Sequence, residues 1–269
     1  DKDPDVSPYV KDVKINWIKV NFPEEFKKIQ KYFKDCRKSK LIEAQKLNYC
    51  NNLEATKTEL LKLQGELQKN ISQGYRDFEI MRSVSLIAEA LKVDHALELL
   101  ESQGLNSLQE YLSKIKQQAF TSKVKAVKNL SIDLNFKSAA YLTGELINKD
   151  VKHPKILKLK EIISKEIENN SNAKIIIFTQ YRDSAAQIVK QLDNLQIKNH
   201  IFVGQAKKKG LGFSQKQQKE ILDKFRLGEF NILIATSVAE EGLDIPNVDK
   251  VLFYEPVPSA IRSIQRRGR

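Results

Sequence analysis

The chain has 269 residues and 30.9 kDa, room for one large domain or two ordinary ones around a sizeable core. With 41% hydrophobic and 30% charged residues it reads as globular rather than disordered or fibrous, and its longest apolar runs, Ile175 to Phe178 and Ile232 to Ala235, fall far short of the roughly 20 residues of a membrane span. Lys plus Arg number 46 against 34 Asp plus Glu, and a formal charge of +12 turns the chain toward polyanions, nucleic acid first among them. Two cysteines, Cys36 and Cys50, are too few for a disulfide framework; they read as free, buried thiols, which suits a reducing compartment, cytoplasmic or nuclear.

The opening Asp1-Lys-Asp-Pro-Asp5 has no apolar stretch of the kind that heads a secretory signal. Val13-Lys-Ile-Asn-Trp-Ile-Lys-Val20 alternates as a strand does. Residues 1–22 are therefore expected to lend a strand to a sheet completed later in the chain, with Trp17 in its core. From 23 to 149 the apolar residues recur at helical spacing: Phe26, Ile29, Phe33; then Leu60, Leu63, Leu67, Ile71; then Ile80, Val84, Ile87, Leu91. Asp77 and Asp133 stand where N-caps sit, and Gly74 and Gly104 where helices stop. This stretch is predicted to be an inserted all-helical module of five or six helices.

From 150 to 269 the pattern changes. Ile175-Ile-Ile-Phe178 is a continuous apolar run, the mark of a strand covered on both faces. A helical stretch through Ala185, Ile188, Val189 and Leu192 follows, then a strand near His200 to Val203 and a helix from Ser214 to Phe225. Strands at Asn231 to Ala235 and Lys250 to Tyr254 complete the series. Strands alternating with helices predict an α/β lobe, a parallel sheet with helices on its faces.

Chemistry concentrates at the end of the chain. Ile232-Leu-Ile-Ala-Thr-Ser-Val-Ala-Glu-Glu-Gly-Leu-Asp-Ile-Pro246 runs from a strand into a polar turn, and Gln265-Arg-Arg-Gly-Arg269 follows nineteen residues later. In an α/β sheet, ligands bind beyond the carboxyl ends of the strands, where Thr236 stands. Hydroxyls and backbone N–H groups there suit a phosphate, and guanidinium groups suit charge developing on a transferring phosphoryl group. His95, His153 and His200 have no metal-like spacing, so no metal site is expected within the chain.

These two segments resemble motifs V and VI of superfamily 2 helicases. Lys174-Ile-Ile-Ile-Phe-Thr-Gln-Tyr-Arg-Asp183 looks like motif IV, and Phe202-Val-Gly-Gln205 like the adjoining phosphate-contact motif. Phe253-Tyr-Glu-Pro-Val-Pro-Ser-Ala-Ile-Arg-Ser-Ile-Gln-Arg-Arg-Gly-Arg269 is similar to the archaeal Hef helicases and the Fanconi anaemia group M translocases. The resemblance implies a second RecA-like helicase lobe with a helical insertion, from an ATP-dependent DNA repair translocase acting on branched or forked DNA. It implies Arg269 as an arginine finger at the γ-phosphate, Gln265 facing the same cleft, and Gly242, Asp244 and Arg266 near the nucleotide. It implies that Thr179, Arg182, Gly204, Gln205 and Thr236 hold the backbone of the tracked strand.

Motif VI normally continues with a second arginine, and the chain stops at Arg269. Neither a Gly-x-x-x-x-Gly-Lys-Ser/Thr phosphate loop nor an acidic Mg²⁺ box occurs in it. ATP and Mg²⁺ are thus expected mainly on a first lobe that these residues do not supply, and the chain alone is expected to be inactive. Two basic groups stand out in the helical module. Lys27, Lys28, Lys31, Lys34, Arg37, Lys38 and Lys40 crowd its first helix, and Lys123, Lys125 and Lys128 lie in a stretch without acids. Each reads either as a solvated surface or as a DNA grip, with Lys31 and Lys34 the leading grip residues; Lys207-Lys-Lys209 is open in the same way. An RNA-directed duplex-sensing helicase, or a catalytically silent nucleic-acid-binding module, are the alternatives.

Overall fold

A computed structural model of the chain describes residues 16–75, 77–204, 212–236 and 248–255. It divides into two compact units, one spanning Phe22–His153 and the other joining the described residues up to Asn21 to those from Pro154 onward.

The first unit is all helix: α1 (Glu24–Lys46), α2 (Lys57–Ser72), α3 (Phe78–Ser102), α4 (Leu105–Thr121), α5 (Lys125–Ile132) and α6 (Leu134–Asn148). Local chemistry sets the boundaries. Thr56 and Glu59 form a reciprocal capping box at the start of α2. The side chains of Asp77 and Asp133 accept from the amides of Ile80 and Phe136, capping α3 and α6 as their positions suggest. Gly104 sits at φ +91°, left-handed backbone that glycine enters without strain, and its amide closes α3 on the carbonyl of Leu99.

Two apolar clusters hold the bundle. Phe26, Ile29, Phe33 and Cys36 of α1 pack with Val93, Ala96 and Leu100 of α3 and with Leu108, Leu130 and Phe136. Farther along, Leu41 and Ala44 of α1 pack with Leu60, Leu67, Ile80, Leu86, Ile87 and Ala90. Between them lies a polar layer. Fully buried Glu89 accepts from Ser85 at 3.0 Å and Asn129 at 2.7 Å, with Lys40 at 3.5 Å and Arg82 at 3.7 Å. Lys40 also meets Asp133 at 2.7 Å, and Arg37 meets Asp94 at 2.6 Å.

The second unit is a four-stranded parallel sheet with α7 (Pro154–Asn169), α8 (Arg182–Asp193) and α9 (Gln215–Leu227). Strands β1 (Ile175–Thr179), β2 (Asn199–Phe202), β3 (Ile232–Thr236) and β4 (Lys250–Phe253) lie in the order β2-β3-β1-β4. The continuous apolar runs are explained by burial on both sides. Ile175, Ile177, Ile232 and Ile234 face α7 and α8, whereas Ile176, Phe178, Leu233 and Ala235 face α9 and Phe202. Each Ile or Leu so buried is worth about 1.5–3 kcal/mol.

One expectation fails. Asn16–Val20, the described part of the predicted opening strand, forms no strand, and Trp17 is 84% exposed rather than in a core. Alternation makes a strand only where a sheet edge offers N–H and C=O groups in register. Among the described residues, β2 and β4 are the edges of the sheet, and residues 16–20 pair with neither.

Candidate nucleic-acid interface

Parallel register sets the geometry at the carboxyl end of the sheet. β1 and β3 pair from Ile175↔Ile232 to Thr179↔Thr236, so the two threonines end side by side, both buried. The Thr179 hydroxyl donates to one carboxylate oxygen of Glu255 at 3.0 Å, and the Gln180 amide donates to the other at 3.0 Å. Tyr254 N–H donates to the Phe178 carbonyl at 2.9 Å, drawing the end of β4 onto the end of β1. Burial pushes Glu255 above the usual carboxylate range, against the opposing pull of Thr179, Gln180 and the Lys155 ammonium. The Thr236 hydroxyl is buried and makes no hydrogen bond among the described residues.

The next strand end adds a third point. Arg182, the first residue of α8, donates from Nη2 to the carbonyl of Gly204 at 3.3 Å, and Gln218 of α9 holds the Val203 carbonyl at 3.0 Å. Thr179, Thr236, Arg182 and Gly204 thus all lie at the carboxyl ends of β1, β2 and β3. The Thr179 hydroxyl is committed to Glu255 and Arg182 reaches the Gly204 carbonyl, so these residues fix the shape of this end of the sheet, beyond which ligands of α/β folds bind. Gln205, Lys207-Lys-Lys209, Gly242, Asp244, Gln265, Arg266 and Arg269 lie outside the described residues.

Sequence reasoning gave Glu255 no role. Its signal was present: a lone carboxylate closing the run Val251-Leu-Phe-Tyr254 just before Pro256. An acid placed where a buried strand ends needs donors, and the structure supplies them from residues 75 and 76 positions away.

The helical unit sorts the basic residues of α1. Lys31, Lys34 and Lys38 are exposed and spaced three and four apart, on the face opposite Phe26, Ile29 and Phe33. With Lys27, which pairs with Glu24 at 2.7 Å, they form a stripe about 16 Å long at 1.5 Å per residue. Arg37 and Lys40 do not belong to that surface, contrary to expectation. Arg37 is turned inward onto Asp94 and the carbonyls of Leu53 and Ala55. Lys40 continues the buried spacing Phe26, Ile29, Phe33, Cys36 and Ala44, and is absorbed by Asp133 and Glu89. The second basic group, Lys123, Lys125 and Lys128, is exposed at the corner between α4 and α5.

His153 is core: Nε2 lies 3.0 Å from the Leu100 carbonyl and the ring stands edge-on to Phe22 and Phe26. Among the described residues no group of three His, Cys, Asp or Glu could hold a metal ion, and no helix is long and apolar enough to cross a membrane.

Comparison with known proteins follows the same division. Residues 154–269 match the family described as helicase conserved C-terminal domain, and residues 25–153 match that described as an ATP-dependent RNA helicase helical bundle. The chain is similar to the crystal structure of the Pyrococcus furiosus Hef helicase domain, with a TM-score of 0.84 and 42% identity over 99% of this chain and 55% of that one. A Methanocaldococcus jannaschii protein named as an ATP-dependent RNA helicase is 40% identical over 268 residues, 99% of this chain and 33% of that protein. The ATP-dependent DNA helicase MPH1 of Coccidioides immitis is 33% identical over 204 residues, 69% of this chain and 18% of that protein. The chain spans a third or less of the length of these two curated relatives.

Proposed function

Because the chain belongs to the Hef and Fanconi anaemia group M branch of the superfamily 2 helicases, as the C-terminal lobe of the core with its helical bundle, we propose that it is the strand-holding half of an ATP-driven DNA motor. The observation that carries this reading is the pairing of Thr179 with Thr236, whose buried hydroxyl has no partner among the described residues. A strand backbone passing this end of the sheet would be held through its phosphates. Contacts of this kind grip any sequence, as a motor moving along its track must.

On this reading ATP and Mg²⁺ are held mainly by a first RecA-like lobe of the same polypeptide. Glu255 is no candidate ligand for the metal, since it already serves Thr179 and Gln180. Gly242, Asp244 and Arg266 would line the nucleotide, and Gln265 and Arg269 would face its phosphates, Arg269 stabilising charge on the transferring group. Gln205 would extend the strand contacts begun by Thr179, Arg182, Gly204 and Thr236. The lysine stripe of α1, Lys31 and Lys34 foremost, would hold forked or branched DNA.

The Methanocaldococcus relative's name favours a second reading, in which the same surface follows RNA. One experiment separates them: ATP turnover of a protein carrying both lobes, stimulated by forked DNA, duplex DNA or duplex RNA. The proposal expects DNA to stimulate most and Arg269→Ala to abolish turnover while DNA binding persists. Stimulation by duplex RNA alone would overturn the DNA assignment, and turnover retained in Arg269→Ala would remove that residue from the active site. Charge reversal at Lys31 and Lys34 should lower the slope of log affinity against log salt by about 0.9 per lost phosphate contact. An unchanged slope would return α1 to the status of a solvated surface.

A further inference from the structure

The corner between α4 and α5 presents an aromatic ring where the helix pattern has no use for one. The buried stripe of α4 runs Leu105, Leu108, Leu112, Ile115, stepping by three and four, and the half-buried Ala119 continues it. Phe120 is the next residue, one step off that stripe, and is 82% exposed in the last turn of the helix. Val124, 52% exposed, follows in the connector, before α5 turns Ala126, Val127 and Leu130 inward. Close to these two apolar residues in the chain are exposed Lys116, four residues before Phe120 on the same helix face, and exposed Lys123, Lys125 and Lys128. The stretch Ser113 to Ile132 contains no Asp or Glu.

A single exposed Phe is ordinary on a protein surface; what distinguishes Phe120 is the acid-free, lysine-rich stretch that carries it. An exposed aromatic carried on a stretch of exposed lysines matches one kind of partner: a base free to stack, carried on a phosphate backbone. Paired bases are closed to such a ring, whereas unpaired ones offer their faces.

We infer that the α4–α5 corner is a second nucleic-acid contact of the helical unit, in which Phe120 stacks on an unpaired base of a junction while Lys123, Lys125 and Lys128 hold its phosphates. The inference rests on the nucleic-acid reading above and adds to it the structure recognised: the single-stranded part of a branched substrate, as distinct from the duplex assigned to no particular element.

The test measures binding of the full chain, by fluorescence anisotropy, to a forked DNA with unpaired arms and to a blunt duplex of equal length. Phe120→Ala should weaken fork binding on the order of tenfold, the loss expected for one base–aromatic stack, and change duplex binding less than about twofold. Phe120→Trp should restore fork binding, which a merely structural role at so exposed a site does not predict. Alanine at Lys123, Lys125 and Lys128 together should flatten the fork's salt slope by about 2, at roughly 0.7 per single-strand phosphate. Fork binding indifferent to Phe120, or equal losses on fork and duplex, would overturn the stacking role while leaving the motor reading intact. Displacement of wild-type chain from the fork by an acidic peptide, with Phe120→Ala binding the fork normally, would give the corner to a protein partner instead. A wild-type chain that binds neither DNA would sink the nucleic-acid reading and this inference together.

Discussion

Replacing Glu89 by Leu tests the polar layer of the helical unit. The carboxylate is fully buried in α3, and its Oε1 accepts from Asn129 at 2.7 Å and Ser85 at 3.0 Å. Its two cations have other partners: Lys40 keeps Asp133 at 2.7 Å, and Arg82 keeps Glu43 at 2.7 and 2.9 Å. The substitution therefore strands two neutral donors rather than two bare charges. At about 1–3 kcal/mol for each of the two buried groups left unsatisfied, the loss is about 2–6 kcal/mol, a range that spans the roughly 3–5 kcal/mol of a broken buried ion pair. Urea unfolding followed by circular dichroism, with hydrogen exchange at α3 amides assigning the loss to this unit, reads it directly. Adding Asn129→Leu removes one stranded donor and should return about 1–2 kcal/mol. A loss below about 1 kcal/mol for Glu89→Leu would show that the layer contributes no net stability, and would refute the reasoning.

Three further outcomes follow from the same geometry. Phe33→Ala should cost about 3–5 kcal/mol, because the ring is fully buried and stands 5.8 Å from Phe136; protection lost first at α1 and α6 amides would mark the cavity. Glu255 is raised on folding, so its favourable share of stability is complete below its ordinary unfolded value and is lost as pH rises through the higher folded value. Glu255→Gln should thus flatten the fall of stability with pH across that mildly acidic window; an identical slope in the variant would place the titration elsewhere. Asp133→Ala removes both the α6 cap and the partner of Lys40, and should cost more than the ~1 kcal/mol of an ordinary cap; a thermal shift no larger than a surface cap gives would contradict the pairing.

Much of this molecule could be read from residue order because its signals are local. A strand buried on both faces must be apolar throughout, so Ile175–Phe178 and Ile232–Ala235 declared themselves. Asp77 and Asp133 cap with their own side chains, and the glycines at 74 and 104 take left-handed backbone. What stayed hidden depends on partners remote in sequence. Arg37 finds Asp94 57 residues on, and Lys40 finds Asp133 93 residues on, so both resemble surface lysines and arginines until the helices are packed. Glu255 and Thr179 meet across 76 residues. Trp17 misled for the opposite reason: its neighbours alternate correctly, but a period of two does not supply a strand to pair with. The threonines of motifs IV and V were legible as residues, and only the register of β1 on β3 makes them neighbours.

The charged layer between the two apolar clusters also fixes alignment. Apolar stripes alone are nearly indifferent to a slip of one helical turn, about 5.4 Å, since one leucine replaces another in the same gap. With Arg37 and Lys40 of α1 facing Asp94 and Glu89 of α3, the same slip would bury four ions away from their mates. The helices are thus keyed as well as greased, and a body built in that way carries a sideways load without creeping.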